Sequence, residues 1–295
     1  MNAHSKVAFV GLGAIGLPMA QSIVRAGMPL VGVEPAPAGR ERATAAGIET
    51  VADVTGIGAS SVVVVMVATA AQLASVVDAA LAAGVVADRT WVVSSTVGPD
   101  AVRAEAERIS AVGGAVVDAP VSGGVARAGR GDLVLFVSGS DAAIAAARPV
   151  LEALGTARVV GAEPGAGQSV KVVNQHLCAV HIAAAAEALA LAERLELDPA
   201  FVLDVVGGGA AASFMLGDRG PRMLADDAPV LSQVGIFVKD TGLVADAAEA
   251  AGIDLPVLQA ARGRFLAAAD LGLTTHDDSS VIQTYRVAAG SEGER

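Results

Sequence analysis

From Lys6 to about Val160, short apolar runs alternate with Ala-rich amphipathic stretches. The runs are Val7 to Val10, Leu30 to Val33, Val62 to Val67, Thr90 to Val93, Ala115 to Val117, Leu133 to Val137 and Arg158 to Val160. Strand-length runs separated by helix-length stretches predict a doubly wound, largely parallel sheet. The run Ser61-Val-Val-Val-Val-Met-Val lacks polar alternation, which fits a parallel strand covered on both faces. After Gly161-Ala-Glu-Pro-Gly-Ala-Gly the pattern changes. Gln168 to Leu195 contains neither Gly nor Pro and reads as one long helix. Asp198-Pro199, Gly207 to Gly209, Gly220-Pro221, Gly252 and Leu255-Pro256 then divide the remainder into further helices. The expectation is an α/β domain over residues 1–163, followed over 164–295 by an all-α domain that begins with the long interdomain helix. Gly290 to Arg295 reads as a frayed polar tail.

The first apolar run leads directly into Gly11-Leu12-Gly13-Ala14-Ile15-Gly16 and then into a helical stretch. Strand, glycine-rich turn and helix in that order are the setting of a dinucleotide-binding fingerprint. Gly11 allows the tight turn, Gly13 the close approach of a pyrophosphate, and Gly16 the packing of helix on strand. Backbone N–H groups at the helix start attract phosphate. Glu34 ends the second run, about 20 residues beyond the fingerprint, where a carboxylate accepts hydrogen bonds from the adenosine ribose. That placement predicts a Rossmann domain that prefers NAD over NADP, although Arg40 and Arg42 lie just downstream as potential partners for a 2′-phosphate.

Composition narrows the function classes. The 295 residues suffice for two apolar cores, and the 53% hydrophobic content is dispersed in short segments, so no uninterrupted run suggests a membrane span. Met1 to Lys6 leaves no room for a signal peptide before the first strand, and a cytoplasmic enzyme is expected. One cysteine, Cys178, precludes an internal disulfide, and the four histidines show no metal-ligand spacing. A formal charge of −11 and the lack of a basic stripe argue against nucleic acid.

In a sheet of this kind ligands bind at the C-terminal ends of the strands, which groups Thr69, Ser94 to Thr96 and Asp118 to Gly124 around one crevice. In Asp118-Ala-Pro-Val-Ser-Gly-Gly124 a hydroxyl stands beside backbone N–H groups able to converge on a carboxylate; a plain turn after a strand is the alternative. Lys171 and Gln175 are four apart on the long helix and so share a face near the domain junction, with Asn174 pointing elsewhere. Lys239-Asp240, inside the apolar stretch Ile236 to Val244, is either a further site pair or a surface ion pair.

Together these segments resemble the β-hydroxyacid dehydrogenases, the 3-hydroxyisobutyrate dehydrogenase-like enzymes. The resemblance runs through Gly11 to Ala20, Ser95-Thr96, Asp118 to Gly124, Gly165 to Gln175 and Lys239-Asp240, in family order from Lys6 to about Tyr285. Val180 to Leu191 and Ile236 to Asp246 are most similar to the branch that oxidises L-threonate, and Gln175, where many members carry Asn, shares that likeness. The resemblance implies NAD-dependent oxidation of a small anionic hydroxy acid, most closely L-threonate to its 2-oxo acid. Tartronate semialdehyde or 3-hydroxyisobutyrate chemistry is the alternative, and a non-catalytic NAD- or metabolite-binding module a more distant one. It implies Lys171 as general acid/base, Ser122, Gly123 and Gly124 on the substrate carboxylate, Gln175 on the reacting hydroxyl, Thr96 near the nicotinamide, and Lys239 closing over cofactor or substrate. With Gly11, Leu12, Gly13, Ala14, Ile15, Gly16, Glu34 and Thr69 on the cofactor, that is the expected site. No metal, membrane or nucleic-acid partner is implied, and a homodimer or homotetramer is.

Overall fold

The computed structural model describes residues 6–287; the expected tail at Gly290 to Arg295, and Met1 to Ser5 of the N-terminus, lie outside the described residues. The chain divides into two compact units, Met1–Lys171 and Val172–Arg295.

The first unit is the expected alternation. Its elements are β1 (Val7–Val10), α1 (Gly16–Arg25), β2 (Leu30–Val33), α2 (Pro37–Ala45), β3 (Glu49–Val51), β4 (Val62–Val65), α3 (Ala70–Ala82), β5 (Thr90–Val93), α4 (Pro99–Ser110), β6 (Ala115–Asp118), β7 (Val121–Ser122), α5 (Gly124–Arg130), β8 (Leu133–Ser138), α6 (Asp141–Leu154) and β9 (Gly155–Gly161). The strand order is β3-β2-β1-β4-β5-β6-β8-β7, with β9 on β8. All pairings from β3 to β6 are parallel, while β8 runs antiparallel to β6 and β7. The order reverses between β1 and β4, so the crevice at their C-terminal ends is where this topology binds ligands.

Strand periodicity builds both cores of this sheet. Val7, Phe9, Val62 and Val64 face one apolar cluster with Met19, Ile23 and Leu151 from the helices. Ala8, Val10, Val63 and Val65 face the other, with Leu73, Val77 and Ile109. Alternate side chains point to opposite faces and both faces are covered, hence the unbroken Val runs. Burying a Val side chain fully contributes about 1.5–3 kcal/mol relative to exposure, so each strand of the β1–β4 centre contributes several kcal/mol.

The structure adds two strands that the pattern did not announce. β3 and β7 are three and two residues long, too short for an alternation to repeat recognisably. β9 extends the expected Arg158–Val160 run to seven residues, and its middle is exposed, as suits an outer strand.

Helix α7 (Ala166–Arg194) follows, then α8 (Pro199–Gly207), α9 (Phe214–Leu224), α10 (Val234–Ala250), α11 (Pro256–Asp270) and α12 (Gln283–Val287). In the second unit Ala179, Ile182, Ala186 and Leu189 of α7 pack with Leu216, Met223, Phe237 and Phe265. The Phe237 and Phe265 rings stack with centroids 5.0 Å apart. The 29-residue α7 reaches the length and mean hydropathy of a membrane span, but polar residues such as Lys171, Gln175 and Glu187 interrupt its apolar run and over half of its apolar window is buried inside the protein. A buried ionic cluster holds the segment before α12: Arg219 and Arg222 pair with Asp278 and Asp277, both nearly inaccessible.

Candidate functional site

The glycine turn after β1 has the shape that the fingerprint requires. Gly11 has φ of +92°, and a Cβ there would come within 2.3 Å of the Met66 carbonyl oxygen. A Cβ on Gly16 would lie 1.9 Å from the Gly11 carbonyl oxygen, so this helix start tolerates no side chain. Gly13 differs: nothing lies within 4 Å of its missing Cβ, and Gly13 and Ala14 are exposed, while Leu12 is buried beneath them and Ile15 caps α1. An open, side-chain-free approach to the N–H groups of a helix start fits a pyrophosphate.

Glu34 stands where expected, past the end of β2. Its Oε2 accepts from Leu12 N at 3.1 Å and its Oε1 from Ala36 N at 3.1 Å, which ties the carboxylate to the fingerprint turn. A carboxylate has about four acceptor positions, so room for ribose hydroxyls is left. The Arg40 guanidinium donates to the Glu34 and Pro35 carbonyl oxygens. Thr69 is exposed and caps α3, its hydroxyl accepting from Gln72 N while Gln72 Oε1 in turn accepts from the Thr69 N–H.

At the end of β5, Ser95 Oγ accepts from Val67 N at 2.7 Å, followed by the half-buried Thr96. Ser122 closes β7. Gly123 and Gly124 then turn the chain into α5 with φ of +139° and +72°, conformations that L side chains rarely adopt. The hydroxyl and the two glycines are therefore contiguous, as the carboxylate reading requires.

Sequence reasoning did not identify Asp118 and Gln168 as partners, yet they form the best-connected polar group in the first unit. Asp118 is fully buried. Its Oδ2 accepts from Gly165 N (2.8 Å), Gln168 N (3.0 Å) and Ser138 Oγ (3.2 Å), so it caps the start of α7. The Gln168 amide uses both ends: Nε2 donates to Ser95 O (2.9 Å) and Asp118 Oδ1 (3.0 Å), and Oε1 accepts from Val97 N (3.0 Å) and Gly98 N (3.1 Å). Burial raises the Asp118 carboxyl above its ordinary value against the pull of bonds from Gln168, Gly165 and Ser138. The visible signals were a charged residue at the end of an apolar strand and the polar residue that opens a long apolar helix. Three residues after Gln168 comes Lys171, buried to 7% exposure. Lysines are seldom so buried unless paired.

In the second unit, Gln175 is also 7% exposed and Asp240 3%. Gln175 Nε2 donates to Asp240 Oδ2, and Asp240 Oδ1 pairs with Lys239 Nζ at 2.8 Å. Because a carboxylate only accepts, the orientation of the Gln175 amide is fixed by chemistry. Asn174 does not stand apart as expected: its Nδ2 donates to Gln175 Oε1 at 2.9 Å and to Cys178 Sγ at 3.3 Å. Lys239-Asp240 thus joins a polar chain with Gln175, in which Asp240 is buried and Lys239 partly exposed. Among the described residues no group of three His, Cys, Asp or Glu is placed to hold a metal ion.

Comparison with known proteins places the chain in a family. Residues 6–163 match the family described as the NAD binding domain of 6-phosphogluconate dehydrogenase. Residues 165–285 match that described as NAD-binding of NADP-dependent 3-hydroxyisobutyrate dehydrogenase. The chain belongs to the 3-hydroxyisobutyrate dehydrogenase-like β-hydroxyacid dehydrogenases. Like other members of this family, it is an oxidoreductase with a nicotinamide cofactor. An L-threonate dehydrogenase of Cupriavidus necator is 38% identical over 283 residues, 95% of each chain. That of Escherichia coli K12 is 38% identical over 285 residues, covering 95% of this chain and 94% of the relative. A crystal structure of 3-hydroxyisobutyrate dehydrogenase from Salmonella typhimurium has a TM-score of 0.86 at 36% identity, covering 95% of this chain and 99% of the other.

Proposed function

We propose that this β-hydroxyacid dehydrogenase oxidises L-threonate, or a close polyhydroxy acid, to the 2-oxo acid with NAD. The observation that carries the reading is Lys171, a buried amine one turn into a helix whose start is clamped by Asp118 and Gln168. The threonate dehydrogenases named above support the substrate class.

Gly11, Leu12, Gly13, Ala14, Ile15 and Gly16 would hold the cofactor's pyrophosphate, Glu34 its adenosine ribose, and Thr69 and Thr96 would contact it further along. Bound, the oxidised nicotinamide supplies a hydride acceptor. Ser122 Oγ and the Gly123 and Gly124 N–H groups receive the substrate carboxylate. Lys171 Nζ takes the proton from the reacting hydroxyl, and in the reverse direction returns it. A free lysine, with a pKa of about 10.4, is a poor base at neutral pH, so the role requires the Lys171 amine to reach its neutral form in the complex. Gln175 orients the hydroxyl, and with Nε2 engaged by Asp240 one N–H remains to do so. Lys239 adds positive charge for an anionic substrate in a chain of formal charge −11.

In this reading residues 1–163 bind the dinucleotide, and 164–295 serve substrate and assembly. The exposed Leu191, Leu195, Phe201, Val205 and Phe214 give the helical unit an apolar surface suited to a homodimer or homotetramer, in a cytoplasmic enzyme. Steady-state rates on L-threonate, glycerate, tartronate semialdehyde and 3-hydroxyisobutyrate with both cofactors test the proposal. Threonate with NAD is expected to give the highest kcat/KM; a clear preference for another substrate would displace it, and no turnover of any would favour a binding module.

A further inference from the structure

We propose that Gly39 is a determinant of cofactor choice, acting through Glu34. The inference rests on the reading of Glu34 as the ribose-binding carboxylate. Gly39 occupies the third position of α2 and is buried. It is not among the glycines with positive φ, so the backbone there does not need glycine. In a helix interior glycine is less favourable than alanine, because it loses more backbone freedom on folding. The missing side chain has a specific neighbour instead. A Cβ on Gly39 would lie 2.6 Å from Glu34 Cγ, 2.9 Å from Cδ and 3.1 Å from Oε1.

The Glu34 carboxylate is therefore boxed in on three sides. Leu12 N holds one oxygen from the fingerprint turn, Ala36 N holds the other from the start of α2, and Gly39 provides the hollow that its stem and head fill. Arg40 is drawn away from the carboxylate head, its guanidinium donating to the backbone carbonyls of Glu34 and Pro35. A rigidly placed carboxylate favours a ribose diol over a 2′-phosphate, which would meet the negative charge at close range, while the Arg40 guanidinium that could offset that charge is engaged by backbone carbonyls. Any side chain at residue 39 removes the hollow. The atoms it meets are the stem and head of the Glu34 side chain rather than backbone, so Glu34 is the group that gives way, at the expense of its bonds to Leu12 N and Ala36 N.

The test is Gly39→Ala, with NAD and NADP titrated separately into wild type and variant by calorimetry, and thermal unfolding recorded alongside. A hydrogen bond to a charged group corresponds to about ten-fold or more in affinity, so the NAD-over-NADP ratio of affinities is expected to fall about ten-fold. The melting temperature is expected to fall only modestly, because the better helix propensity of alanine offsets part of the loss of the Leu12 and Ala36 bonds to Glu34. Glu34→Gln, which keeps the size and loses the charge, is expected to reproduce the drop in selectivity. An unchanged ratio in Gly39→Ala would overturn the role of Gly39 while leaving the cofactor reading in place. Wild type that binds NAD no more tightly than NADP would overturn the reading of Glu34 and this inference with it.

Discussion

Gln168→Glu replaces one atom in the buried clamp and makes its cost calculable. The new carboxyl keeps one oxygen where Oε1 accepts from the Val97 and Gly98 N–H groups, so those two bonds are unaffected. Its other oxygen replaces Nε2, which lies 2.9 Å from Ser95 O and 3.0 Å from Asp118 Oδ1, and so sets three oxygens together with no hydrogen between them. Two full charges about 3 Å apart repel by about 5–6 kcal/mol at an effective dielectric of about 20. Binding one proton instead costs about 4 kcal/mol at about pH 7 for an ordinary carboxyl. Burial already raises Asp118, which lowers that figure, so protonation wins and the pair shares a proton.

That choice fixes the sign of the pH dependence. The variant's folded state holds a proton that its unfolded state lacks at neutral pH, a folded pKa above the unfolded one. Its stability is therefore fully present below the unfolded pKa of about 4 and is lost as pH rises toward the folded value, by about 1.4 kcal/mol per unit. Urea unfolding of wild type and variant at about pH 5.5 and about pH 7.5 is expected to show a deficit about 2–3 kcal/mol larger at the higher pH. Gln168→Met, of similar length and uncharged, removes only the bond that pulls the Asp118 carboxyl down, so its deficit is expected to grow with pH less steeply than that of Gln168→Glu. Equal deficits for Gln168→Glu at both values would refute the clamp as described.

Further expectations follow from other contacts. Gly16→Ala pushes a methyl group against the Gly11 carbonyl oxygen, a 1.9 Å approach, and should cost about 1–3 kcal/mol in urea unfolding and weaken NAD binding measured by calorimetry. Asp277 is subject to burial, which would raise its pKa, but bonds from Ser279 and Leu231 and the charge of Arg222 hold it below the ordinary value. Its contribution is present above an unfolded pKa of about 3.9 and fades as pH falls through the folded one, so Asp277→Asn should cost about 1–3 kcal/mol at neutral pH and progressively less in acid, read from unfolding midpoints across pH.

The sheet was legible because its strands are buried on both faces and separated by helices of ordinary length. Val7 to Val10 and Thr90 to Val93 need only their own composition to be recognised. β3 and β7 escaped because so few residues carry no period, and their pairing is set by neighbours in space. The site divides the same way. Gly11, Gly13, Gly16 and Glu34 are legible because a turn and a fixed spacing impose them. Asp118 with Gln168, 50 residues apart, and Gln175 with Asp240, 65 apart, are long-range polar pairs that no local pattern encodes. Gly39 was hidden for a related reason: a glycine in a helix looks like a defect until the side chain filling its space is known.

The central claim is that the Lys171 amine moves the substrate proton. The most direct measurement is NADH formation from L-threonate by wild type and Lys171→Ala, with NAD binding followed in parallel. Loss of a general acid/base should lower kcat by about two orders of magnitude or more, with NAD affinity within a few-fold of wild type. A Lys171→Ala enzyme that binds NAD and turns over at a near-normal rate would contradict the account.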